Sequence, residues 1–68
     1  MSSKLIVHLR AYRTAAGLTQ AELAEEVGVS RKTVNTIENG VFTPSTVLAL
    51  LLADALDCTV HDLFALPD

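Results

Sequence analysis

The sequence has no tryptophan, a single cysteine, and only three aromatic residues, Tyr12, Phe42 and Phe64. One cysteine cannot close an internal disulfide. Cys58 is therefore expected to be a small, buried apolar residue rather than a crosslink or a reactive thiol. No apolar run approaches the roughly 20 residues that a membrane-spanning helix needs. The first ten residues, MSSKLIVHLR, lack a signal peptide's long apolar stretch and small-residue cleavage site, so a cytoplasmic location is expected. Lysine and arginine are absent from residue 40 onward. Missing too are a glycine-rich phosphate loop, a histidine–cysteine cluster with metal-ligand spacing, and a hydroxyl nucleophile beside a base. These absences exclude the common catalytic and cofactor-binding constellations. The chain is not expected to be an enzyme, and no cofactor or metal is expected.

Half of the 68 residues are hydrophobic, a high share for what should be one small domain spanning residues 1–68. Net charge is −3, which taken alone disfavours a polyanionic partner. Its distribution changes that reading. Residues 1–39 carry all five cations (Lys4, Arg10, Arg13, Arg31, Lys32) and a charge of +1, whereas residues 40–68 carry −4. One end can approach phosphates and the other should point away from them.

The most informative stretch is TQAELAEEVGVSRKTVNTIENG, residues 19–40. Thr19 followed by Glu22 is a capping box that starts a helix. Leu23, Ala24 and Val27 form its apolar face, and Ala24 is small enough for a second helix to cross closely. Gly28 can take the left-handed backbone that ends the helix, Val29 plugs the turn, and Ser30 caps the next helix. Val34 and Ile37 anchor that second helix inward. At about 100° per residue, Arg31, Asn35, Asn39, Lys32 and Thr36 fall on one outward arc that contains no acid. Glu38 lies beside Val34, at the edge of the buried side. Two short helices and a tight turn, with such an arc on the second, form a helix-turn-helix over residues 20–39 whose second helix suits the DNA major groove.

Ser30, Arg31, Lys32, Asn35 and Thr36 are the expected base contacts. Arg31 and Lys32 can donate to guanine O6 and N7, and Thr36 can meet a thymine methyl or a base acceptor. Gln20, at a helix N-terminus whose free N–H groups favour an anion, is expected to contact phosphate. So are Asn39, at the far end of the second helix, and Arg10. Two functions of different kind fit this surface. One is sequence-specific DNA binding by a transcriptional regulator. The other is a protein-interaction module, such as an antitoxin or adaptor, built on the same scaffold; it would more often show aromatic or aliphatic anchors on the exposed arc.

The chain resembles the Cro/repressor-type, or Xre, helix-turn-helix family. The likeness is carried by LRAYRTAAGLTQAELAEEVGVSRKTVNTIENG, then TPS, LALLLADAL and DLF, from about Leu9 to Phe64. It implies an all-α, five-helix, lambda-repressor-like domain that binds operator DNA, usually as a dimer. It also implies that Arg13 and Glu38 form a scaffold ion pair tying the first helix to the recognition helix. Val41 and Phe42 stand where members often carry a lysine, and Cys58 where Gly or Val is common.

Outside the motif, Leu5, Leu9, Tyr12 and Ala16 suggest a first helix over residues 5–16, ended by Gly17. Phe42 is expected to pack beneath the loop that Thr43-Pro44-Ser45 forms before the fourth helix. That helix, over 46–56, is apolar almost all round, so it should be covered on more than one side. Thr59 and Asp62 open a last helix with Val60, Leu63, Phe64 and Leu66 on its apolar face. The region from about 45 to 66 is the expected dimerisation surface, with Leu52, Leu56, Val60, Leu63, Phe64 and Leu66 at the interface. A homodimer would match a palindromic stretch of double-stranded DNA.

Overall fold

The structure, a computed structural model, describes residues 5–68; Lys4, one of the five cations, lies outside them. Five helices carry the fold. They are α1 (Leu9–Ala15), α2 (Gln20–Val27), α3 (Arg31–Glu38), α4 (Thr46–Ala55) and α5 (Val60–Leu63). Two short strands, β1 (Ile6–Val7) and β2 (Phe64–Ala65), pair antiparallel, with Ile6 opposite Ala65 and Val7 opposite Phe64.

Helix starts follow the caps. The Thr19 side chain accepts from Glu22 N while Glu22 returns a bond to Thr19 N, which completes the capping box. Ser30 and Ser45 accept from Thr33 N and Leu48 N, and Thr59 with Asp62 forms a second box at α5. Each cap satisfies backbone donors that the first turn leaves free. Gly28 sits at φ 78, ψ 32, the left-handed conformation that costs a residue with a Cβ, and so turns the chain from α2 into α3.

The core forms where α2 meets α3 and α4. Leu9, Leu23, Val34, Ile37, Leu52 and Leu63 are wholly buried, and Ala24 gives α2 its close approach. Fully burying one such leucine or isoleucine stabilises a domain by about 1.5–3 kcal/mol. This interior therefore holds most of the stability of so small a fold.

Both chain ends differ from the sequence reading. Residues 5–8 do not extend the first helix. β-branched Ile6 and valine at position 7 are instead extended against Phe64–Ala65, and His8 N donates to Leu63 O at 2.8 Å. The inward side of α1 is Leu9 and then Arg13, one turn on; Tyr12 and Ala16 face solvent. The last helix stops at Leu63, because Phe64 and Ala65 take up strand pairing with β1.

The expected dimer residues divide in the same way. Leu52, Leu56, Leu63 and Phe64 are buried inside the single chain, and Val60 is half-buried. They pack the interior and are not free for a partner. Leu66 is exposed. The outward side of α4 presents Val47, Leu50 and Leu51. Phe42 is not tucked beneath its loop, being 50% exposed. Among the described residues, no helix is long and apolar enough to cross a membrane.

Candidate nucleic-acid interface

Helix α3 owes its orientation to Val34 and Ile37, which lock one side into the core. The opposite side then projects Arg31, Lys32, Asn35 and Asn39 into solvent, with Thr36 half-buried among them. Thr36 Oγ1 donates to Thr33 O at 3.0 Å, which turns its methyl away from that bond. Ser30 Oγ is committed to Thr33 as a cap, so its first role is to start the helix. Among the described residues, the ion pairs run from Arg10 and Arg13 to Glu38. Arg31 and Lys32 are left with no carboxylate to neutralise them.

Glu38 is the hub beneath this surface. Its side chain is 0% exposed. Arg13 Nε donates to Oε2 and Arg13 Nη2 to Oε1, while Arg13 Nη1 reaches Leu18 O at 2.8 Å. Gln20 Nε2 donates to Oε1 at 2.9 Å, and Arg10 Nε does so at 3.3 Å. Burial pushes the Glu38 carboxyl up. Hydrogen bonds from Arg13, Gln20 and Arg10, together with the Arg13 charge, outweigh that and hold it below its ordinary range. The carboxylate therefore stays ionised, yet two guanidinium groups cover it, so the local charge facing outward is positive.

Four expected contact residues form a ring that closes through Glu38. Arg10 Nη2 donates to Asn39 Oδ1 at 3.3 Å. Asn39 Nδ2 reaches Asn35 O and Oδ1, at 3.0 and 3.3 Å. Asn35 Nδ2 lies 3.5 Å from Gln20 Oε1, at the outer limit of a hydrogen bond. The sequence reading placed Arg10, Gln20, Asn35 and Asn39 near one surface but missed the bonds among them. Spacing held the signal: Arg10 and Arg13 are three apart, and Asn35, Glu38 and Asn39 are three and four apart, so each set shares a helix face.

The Cys58 thiol is pushed up by burial and by Asp62 and Asp57 nearby, so it remains protonated and a poor nucleophile at neutral pH. No group of three or more His, Cys, Asp or Glu that could hold a metal occurs among the described residues.

Comparison with known proteins adds to this geometry. The model of a family described as helix-turn-helix matches residues 9–63. An HTH-type transcriptional regulator of Methanothermobacter thermautotrophicus is 44% identical over 61 residues, 88% of each chain. Among solved structures, the clp gene regulator ClgR of Corynebacterium glutamicum aligns with a TM-score of 0.75 at 35% identity. That alignment takes in 79% of this chain and 57% of the other, so the chain spans a little over half of ClgR. SinR, the master regulator for biofilm formation, solved in complex with DNA, aligns with a TM-score of 0.72 at 31% identity, over 78% of this chain and 86% of that one.

Proposed function

The chain belongs to the Xre-type helix-turn-helix family, and from that membership we infer that it is a transcription regulator, not an enzyme, that binds double-stranded DNA with α3 in the major groove. One observation carries the reading. The solvent side of α3 offers two unneutralised cations and three amide or hydroxyl side chains, while the only carboxylate of that helix is turned under and covered. Such a face rewards phosphates and base edges, and the outward arc of α3 itself carries no aromatic or aliphatic side chain to anchor a protein partner.

Arg31 and Lys32, at the N-terminal end of α3, read bases, together with Thr36. Asn35, on the same arc, is tied to Asn39 and Gln20, and Ser30 caps the start of α3. Gln20, Asn39 and Arg10 form the phosphate side, already held together by the ring through Glu38. Bound this way over an operator, the protein acts as a repressor by occupancy.

Two copies bind together. The exposed apolar side of α4, Val47, Leu50 and Leu51, is the surface for a twofold contact, in place of the buried leucines. It lies in the part of the sequence that has no cation and so faces away from DNA. A twofold pair sets its recognition helices about 34 Å apart and favours a palindromic site.

Substitution of Arg31 or Thr36 by Ala tests the base-reading role. The preferred sequence should change, by about 1–3 kcal/mol of discrimination per good bidentate contact. Gln20→Ala should weaken all sequences alike. If Arg31→Ala also lowered affinity uniformly and left the preference intact, α3 would not be the reading element.

A further inference from the structure

Immediately after α3, Val41 and Phe42 are turned outward, 77% and 50% exposed. They are not loose. Val41 N and Phe42 N both donate to Thr36 O, at 2.9 and 3.2 Å, which straps the loop onto the last turns of the recognition helix. Val41 and Phe42, together with Ser30, Lys32, Thr33 and Thr36, line an open groove of about 300 Å³ on α3 itself.

The lining is mainly apolar, and Lys32 stands on its rim. The loop offers no cationic side chain, because lysine and arginine are absent from residue 40 onward. It therefore cannot neutralise a phosphate. Of the groups that a base pair presents in the major groove, one alone is apolar, the 5-methyl of thymine. Resting on the reading of α3 as the recognition helix, we propose that Val41 and Phe42, with the Thr36 methyl, form a seat for a thymine 5-methyl group. This seat makes the loop after α3 a specificity determinant of the operator. The sequence pointed to Thr36 alone; the two loop residues turn a single methyl contact into a walled site. The groove is continuous with the cationic arc of α3, so Lys32 can donate to the neighbouring base while the methyl is seated.

The experiment needs an operator selected from random DNA, in which each thymine is replaced in turn by uracil. That change removes the methyl and leaves base pairing intact. One thymine per half-site should respond, and its loss should weaken binding about fourfold, the worth of one buried methyl. Loss in both half-sites should give about fifteenfold. In Phe42→Ala and Val41→Ala, both at exposed positions, the difference between thymine and uracil should largely disappear at that same position, with the melting temperature kept. The uracil series on the unmodified protein stands on its own should a variant fold poorly. Uracil costs that are absent everywhere, or that persist unchanged in both variants, would overturn the proposal and leave the groove to a protein partner or a second copy. If no DNA sequence is enriched at all, the reading of α3 fails with it. If an operator is enriched but no methyl effect couples to Val41 or Phe42, only the seat fails.

Discussion

Removing the Arg13 guanidinium should be among the most damaging single changes to this fold. The Glu38 carboxylate has no solvent exposure, and Arg13 is 12% exposed and donates to it through two nitrogens. Arg13→Met keeps a similar apolar stem and strands the charge beneath the recognition helix. Breaking such a buried pair costs about 3–5 kcal/mol. Arg10 and Gln20 still reach Glu38, so the lower end, about 3 kcal/mol, is expected. A domain of this length holds roughly 3–10 kcal/mol in all. The loss should lower the melting temperature by about 12–24 °C, at some 4–8 °C per kcal/mol for a domain of this size. Urea unfolding followed by circular dichroism gives the free energy directly. Arg13→Met combined with Glu38→Leu removes both charges and should recover much of the loss, since a matched apolar pair is often as stable as a buried ion pair. A cost below about 1 kcal/mol for Arg13→Met, the range of exposed pairs, would refute the account of Glu38 as a buried hub.

The same group sets a pH dependence. The folded Glu38 carboxyl lies below its ordinary value of 4.5. Its contribution to stability is therefore complete above that value and is lost as pH falls through the lower, folded one. Urea midpoints from pH 6 to pH 3 should fall less steeply in Glu38→Gln than in the unmodified protein, and equal slopes would contradict the assignment. Self-association is the other expectation. Light scattering at micromolar concentration should show a dimer, and Leu50→Lys, on the outward side of α4, should weaken it at least about a hundredfold while the circular dichroism of a folded helical chain is kept, since two leucines leave the interface. A monomer before and after the change would give that surface to a different partner.

Local chemistry made most of the fold legible. Thr19 with Glu22, Gly28, Ser30, Ser45 and Thr59 with Asp62 each set a helix end through bonds that span three or four residues, so the sequence shows them directly. The Arg13–Glu38 pair was legible through family resemblance, and its ring of partners only in part. The strand pairing of Ile6–Val7 with Phe64–Ala65 joins the two ends of the chain through two residues each, too short for any period to register. Helix α4 misled for a different reason. Ala49, Leu52, Ala53 and Leu56 form one stripe at helical spacing, and Val47, Leu50, Leu51 and Asp54 form an equally regular second one. Only the carboxylate of Asp54 marks the second as the solvent side. An aromatic is usually worth burying, which favours a Phe42 packed beneath its loop. Its backbone N–H instead bonds Thr36 O, a link invisible in the sequence, and its ring is half exposed.

The central claim is that α3 reads DNA bases as one half of a twofold pair. Selection of bound sequences from a random double-stranded pool, at two salt concentrations, tests it most directly. The account predicts one enriched inverted repeat with half-site centres about 10 base pairs apart, and the same repeat at both salts with lower affinity at the higher. Retention of DNA that vanishes with salt and enriches no sequence would contradict it.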